Sequence, residues 1–488
     1  METIYSKNID FRGRMEYNYI KVVYHAHGYD EYGGSDMNAA YEKHVVNVEK
    51  YRGLILEAER HIWKNPETGF REWKTSAYLA EQFQKLGYQL TMAGNIPGFY
   101  TDLDTGRPGP TALVMGELDA LFCNTHPEAD PATNAVHVCG HNAQCAALLG
   151  VAAALKEPGA LDGMSGKIRL MAVPAEELVE FEFREDLRQQ GIIRYLGGKS
   201  EFIARGYMDD VDVAFMIHTS SGVKNAGARV INGHNGFINK HLEFRGKAKH
   251  ASSPYTAINA LYAATQAINA LNALRETFRE RDTVRLHPII SHGGDAVNTI
   301  PDVIKVECQI RGSNPDAIKE INCRANRAAA GAALSMGANV VYCDRPGYMP
   351  NIHDRTMMDA FLAAGGEVLG TENVYYQDVW EMSCTDMGDV SSLVPSIHPH
   401  IGGAVGNAHG NNWYIADPER ACVDSAKVQM VLLQMLLEND AALARQAKAT
   451  FQPRFANKEE YMAFMDSMMV DGIAIDYQED GTAVVRYE

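Results

Sequence analysis

Apolar residues return every three or four positions through residues 38–67, NAAYEKHVVNVEKYRGLILEAERHIWKNPE, with no proline or glycine before Gly53. That period predicts one long helix. A second helix follows over residues 75–90, TSAYLAEQFQKLGYQL, with Thr75 or Ser76 as its cap and Gly87 near its end. The pattern then changes to short apolar runs, TALVMGELDAL and GKIRLMAVPAEE, separated by the apolar helix that begins after Asn142. A further strand, DDVDVAFMIH, ends at His218. Strands alternating with helices predict an α/β layer whose sheet is mixed but largely parallel.

From about residue 239 the pattern is different. FINKHLEFRGKAKH predicts an edge or antiparallel strand; a long helix follows over residues 253–278, then the strands VRLHPIISHGG and VIKVECQIRG, another helix and a last strand near residue 340. Two helices among several strands predict a small α+β domain, residues 239–354, inserted into a discontinuous α/β domain formed by residues 1–238 and 355–488. The α/β pattern resumes with helices over residues 354–370 and 419–447, around the glycine-rich segment TDMGDVSSLVPSIHPHIGGAVGNAHGNN. The tail after residue 448 predicts a short helix and a strand or hairpin around EDG. Residues 1–37 are tyrosine-rich, are broken by YGGSD, and suggest no role.

Composition narrows the class. A chain of 488 residues with 46% apolar and 22% charged positions is globular and large enough for more than one core. Forty-five basic against 62 acidic residues, a formal charge of -17, argue against general binding to nucleic acid or anionic membranes. No apolar run is long enough to span a bilayer or to open a secretory leader, and the eight cysteines are scattered. A cytoplasmic location is expected.

The candidate chemistry lies at the ends of the predicted strands. In HVCGHN, Cys139 and His141 are two apart, so an extended segment points both the same way, and Gly140 permits close approach. Glu176 and Glu177 follow a strand at its carboxyl end, where α/β sheets place ligands, and His218 ends another. His409 lies in the glycine-rich segment and Asp119 ends VMGELD. Thiolate, imidazole and carboxylate suit Zn²⁺, with Mn²⁺ or Co²⁺ also compatible, and five such donors suit two ions sharing a bridging group. With Glu177 facing an ion, Glu176 is free to act as general base. His137, His234, His398 and His400 have no evident partner in the sequence.

At these residues the chain resembles the zinc-dependent amidohydrolase, aminoacylase and carboxypeptidase superfamily, and within it the aminobenzoyl-glutamate and amino-acid-conjugate hydrolases. The matching segments include GELDAL, HVCGHN, VPAEE, ARGYMDDVDVAFMIH, GKAKHASSPYTAINAL, GGDAVNTIPD and SCTDMGDVS, in the family's order. The resemblance implies a metal-binding domain interrupted by a lid that also makes a homodimer. It implies two metal ions held by Cys139, His141, Glu177, His218 and His409, with Glu176 as base and Asp119 in support. His398 or His400 competes with His409, because NAHGNNWYIAD matches the family's last segment only loosely. It further implies that catalytic His250 and substrate-binding Asn298 and Arg311 face the cleft, Arg311 offering its planar fork to a carboxylate. His292 is another possible oxyanion donor without family support.

Two departures matter. Asn142 stands where the related motif often has Asp, though the aminobenzoyl-glutamate branch often carries Asn; and LVEFEFREDLRQQG, after Glu177, is acidic and aromatic where relatives are glycine-rich. The expected activity is hydrolysis of an amide joining a small acyl or aroyl group to an amino acid, or of a dipeptide. Hydrolytic deamination, a non-catalytic binding role and a cysteine protease using Cys139 are the alternatives.

Overall fold

The computed structural model describes residues 38–224 and 227–487. The tyrosine-rich opening and its YGGSD break lie outside them. The predicted first helix is two, Ala39–Glu49 and Arg52–Trp63. The chain leaves helical geometry at Tyr51, whose hydroxyl donates to Glu157 Oε1 at 2.7 Å, so local contacts override a continuous periodicity. The next helix, Trp73–Lys85, starts two residues earlier than its expected caps. Thr75 and Ser76 are buried in its first turn, and Glu67 takes the capping role, accepting from the backbone N–H groups of Lys74 and Thr75 at 2.9 Å. Gly87 follows the helix at φ +83°, as a terminating glycine does.

The first sheet has six strands in the order Thr91–Met92, Phe99–Asp104, Lys167–Val173, Thr111–Glu117, Val213–Phe215, Ser396–Ile397. The last four run parallel and the first two pair antiparallel, giving the expected mixed sheet with a parallel centre. Thr111–Glu117 is buried at every position, as a central parallel strand covered on both faces must be. Helix His141–Leu155, buried along its whole length, packs against that strand and against Arg52–Trp63. The predicted helix over residues 419–447 opens with a π-helical turn, Glu419–Asp424, continues as Ser425–Thr450, and breaks at Glu438–Ala441. Asn439 and Asp440 there adopt left-handed backbone, which their short polar side chains tolerate best.

A second sheet, antiparallel along its main path, orders Arg285–His292, Val303–Gly312, Gly233–Arg245, Asn339–Pro346 and Val470–Ile473. Gly233–Arg245 is antiparallel as expected but lies at the centre, not the edge, paired on both sides over most of its 13 residues. Helices Ala260–Ala273 and Pro315–Ser335 pack together against it. The C-terminal tail forms a helix, Lys458–Asp466, the edge strand Val470–Ile473 and a hairpin, Ile475–Tyr477 with Ala483–Val485, around the EDG turn. A third sheet orders Val374–Tyr376, Ala228–Val230, His400–Ile401 and His218–Thr219. Among the described residues no helix is long and apolar enough to cross a membrane.

Candidate metal centre

The carboxyl ends of three neighbouring strands of the first sheet, Thr111–Glu117, Lys167–Val173 and Val213–Phe215, lead into Asp119, Glu176–Glu177 and His218. The HVCGHN segment enters from the side. Gly140 sits at φ +107° at the start of helix His141–Leu155, and a Cβ there would lie 3.2 Å from the Trp413 ring. Only glycine combines that backbone with that packing, and the turn brings Cys139 and His141 to one side. Cys139 Sγ lies 3.4 Å from His218 Nε2, and the His218 Nδ1–H donates to the Thr219 carbonyl at 2.7 Å, so Nε2 faces the thiol. His141 Nδ1 is 2.9 Å from the Asp119 carbonyl and 3.1 Å from Oδ1. Asp119 Oδ2 accepts from the Glu177 N–H at 2.7 Å, so one carboxylate orients both a histidine and the glutamate pair.

Two Cys139-centred donor triads result, and Glu117, His141 and Glu176 form a third group of donors beside them. Cys139, His141 and His218 bring one donor atom each within 4.8 Å of one another, and so do Cys139, Glu177 and His409. The thiol is common to both. His409, half exposed and at φ +62°, places Nε2 3.0 Å from Glu177 Oε1. His141 Nε2 lies 3.1 Å from Glu117 Oε2, so the groups facing buried His141 Nε2 and Glu177 Oε1 are other potential metal donors.

The charges tell the same story. Burial alone pushes the Cys139 thiol up, but the His141 and His218 rings hold it well below its usual range. Burial likewise opposes a charged His141, yet the Cys139 thiolate and Glu117 raise it. Contacts with Cys139 and Glu177 pull His409 up to about 11. Each proton held this way is one a bound cation displaces. Glu176, only 8% exposed, is raised well above the carboxylate range by burial and then by Glu117 and Glu177.

The Glu176–Glu177 turn is strained and braced. Ala175, the residue before the pair, sits at φ +59°. Its N–H donates to Glu72 Oε1 at 2.7 Å, and buried Arg184 donates to the Leu196 carbonyl at 2.6 Å and to the Glu177 carbonyl. Below it, fully buried Lys199 holds Glu117 at 2.5 Å and contacts Asp386. Glu72, Arg184, Glu117, Lys199 and Asp386 were not singled out from sequence, although Glu117 lies in GELDAL, Asp386 in SCTDMGDVS and Arg184 in LVEFEFREDLRQQG, segments that the family resemblance marked. Asn142 does not touch the histidine. Its amide donates to buried Glu59 Oε1 at 2.8 Å, where an aspartate would set two carboxylates face to face.

The donors open on a cavity of about 420 Å³, also lined by Arg311, Gln309, Phe237, Tyr348 and Thr385. Arg311 donates to Gln309 Oε1 at 2.8 Å and has no carboxylate partner among the described residues. His250 and Asn298 stand elsewhere, on the exposed ribbon of Lys249–His250 with Thr299–Ile300, where His250 Nδ1 meets Ser252 Oγ at 2.7 Å. His292, at the end of its strand, also lies outside the cavity lining. His234, His398 and His400, without evident partners in the sequence, line its wall. The segment after Glu177 contributes Leu178 and Val179 to the cavity.

Residues 232–334 match the peptidase dimerisation domain family. The chain is 26% identical over 344 residues to N-acetyl-L-cysteine deacetylase of Bacillus subtilis, covering 68% of this chain and 77% of that protein. It is 28% identical over 330 residues to a p-aminobenzoyl-glutamate hydrolase polypeptide of Escherichia coli, covering 65% and 63%. Its fold is that of a dinuclear metal-binding peptidase of the M20 family from Bacillus subtilis, at TM-score 0.61 and 18% identity over 80% of this chain and 99% of that one.

Proposed function

Because this chain belongs to the superfamily of metal-dependent amidohydrolases, aminoacylases and carboxypeptidases, we propose that it hydrolyses the amide bond of a small acyl- or aroyl-amino acid, aminobenzoyl-glutamate-like, or of a dipeptide. The observation that carries this reading is one thiol, Cys139, shared by two donor triads, with Glu176 beside them and outside both. Cys139, His141 and His218 would hold one divalent ion, and Glu177 and His409, with the same thiol, the other. Zn²⁺ or Mn²⁺ fits the mixed sulfur, nitrogen and oxygen donors, with Co²⁺ as a substitute. Bound, the ions supply Lewis acidity to the scissile carbonyl and to the attacking water.

The protein's own groups do the rest. Glu176 takes a proton from the water and returns it to the departing amine, and its raised proton affinity suits both transfers. Asp119 keeps His141 and Glu177 aimed while charge changes around them. Arg311, without a carboxylate of its own, pairs with the substrate's carboxylate. His250 and Asn298 reach the substrate when the inserted region, residues 239–354, closes on the catalytic part, residues 1–238 and 355–488; closure excludes water and strengthens each polar contact. The dimerisation match supports a homodimer through that region. Eight free cysteines fit a cytoplasmic enzyme.

The test joins metal analysis to a release assay over aroyl-glutamates, acyl-amino acids and dipeptides, before and after chelation. About two ions per chain with chelator-sensitive amine release are expected. Ammonia release without a cleaved acyl product means deamination instead, and activity that survives chelation but not thiol alkylation means a Cys139 nucleophile.

A further inference from the structure

A second cluster of metal-ligating side chains lies in the wall of the same cavity, and its members are separate from the five donors above. We propose that His234, Glu381 and His400 form a third divalent-cation site beside the Cys139-centred pair. One donor atom from each lies within 4.8 Å of the other two. His234 and His400 are 3% and 8% exposed, with ring centroids 5.8 Å apart.

Strand register builds the cluster. His234 of Gly233–Arg245 is the register partner of Glu381 of Trp380–Cys384. His400 pairs with His218 on one side and Arg229 on the other. Two donors therefore face each other across one strand pair and the third stands on a strand of the neighbouring sheet, and sites on strands hold their geometry better than sites on loops. The pairing also sets the new cluster beside the first, with the His400 ring 5.8 Å from that of His218.

The hydrogen bonds of this wall leave a partner missing. His398, 3% exposed, has both ring nitrogens buried without a partner, and His400 Nδ1 is in the same state. The His398 ring is 5.8 Å from those of both His234 and His400. Buried imidazole nitrogens left unbonded are costly, and His400, a member of the cluster, carries one of them. Glu381 supplies the negative charge. Its Oε1 accepts from Arg229 at 2.7 Å, while Oε2 lies 3.8 Å from His234 Nε2. Two imidazoles and one carboxylate are a set for Zn²⁺, Co²⁺ or Ni²⁺. Because the cluster lines the cavity, an ion there keeps a coordination position open to a ligand entering it. The neighbouring Arg229 cation and the lack of a thiolate make this ion the more weakly held, so mild chelation removes it first.

Equilibrium dialysis of the full chain against Co²⁺, read by mass spectrometry and by the visible absorption of the bound ion, tests this. The wild type should hold about three ions, and His400→Gln and Glu381→Gln about two each. Glu381 is partly exposed, so its variant serves if the buried His400→Gln fails to fold. Cys139→Ser should lose the first pair while keeping the weaker ion and its absorption band. A wild type with two ions and an E381Q variant with one means that this site stands and the Cys139-centred pair does not. Equal counts in the wild type and both variants overturn the proposal.

Discussion

Two lysines are buried to the same degree in different regions, and their surroundings separate structure from chemistry. Lys240, in the antiparallel sheet, donates to both carboxylate oxygens of Asp344 at 2.7 Å. Asn322 and Asn326 complete the set by donating to Asp344 Oδ2 at 2.9 and 3.0 Å, so no oxygen of that carboxylate is orphaned. Lys199, beneath the metal centre, holds two carboxylates where Lys240 holds one, and the second oxygen of Glu117 lies 3.1 Å from His141 Nε2, within the donor cluster itself. Burial pushes Asp386 up to about 6 even against the Lys199 charge. The Lys240 network satisfies its carboxylate within the protein, although Asn322 Oδ1 has no partner, and rigidifies the sheet; the Lys199 network ends on a histidine of the donor cluster, which marks where something binds.

The largest effect should come from the donor cluster. Glu176→Gln keeps the size and removes the base, so kcat should fall about 10²- to 10⁴-fold while metal content stays unchanged; loss of metal in the variant would make Glu176 a ligand instead. Next is the Lys240 network. Lys240→Met strands a buried Asp344 charge and should cost about 3–5 kcal/mol in urea unfolding, with activity per folded chain retained. Lys199→Met should lower activity in the folded fraction too, and equal behaviour of the two variants would erase the distinction drawn above.

A smaller effect tests how the regions are joined. Burial works against a charged Glu185, but bonds from Arg345 of the second sheet and from Arg188 hold it down to about 2. A depressed carboxylate contributes stability above its unfolded value, near 4.3, and loses it as pH falls towards 2. Wild type should therefore lose roughly 2 kcal/mol across that window. Glu185→Gln should flatten that part of the stability profile. Smallest is the exposed pair Lys305–Glu182, where Lys305→Ala should shift stability by about 0.5 kcal/mol or less.

The α/β pattern and the strand-end residues were legible because each rests on local signals: buried strands read as apolar runs, and Cys139, His141, Glu176, Glu177 and His218 fall in short motifs or at the ends of such runs. The cap by Glu67 was not, because the loop between it and the helix folds back in a way no cap motif encodes. Nor were the break at Tyr51 and the central place of Gly233–Arg245, because the first depends on Glu157, distant along the chain, and the second on which strands flank it. The same holds for Asn142, whose meaning lies in Glu59, 83 positions away.

The amino-acid sequence by itself determined the layered fold and pointed to Cys139, His141, Glu176, Glu177 and His218 as donors and base, since periodicity and motif spacing are properties of neighbours. Only the tertiary structure decided which residues brace the Glu176–Glu177 turn, that Cys139 lies between two donor triads, and that His234, His398 and His400 share one wall, because the packing of one sheet beside another, and no sequence distance, sets which side chains meet there.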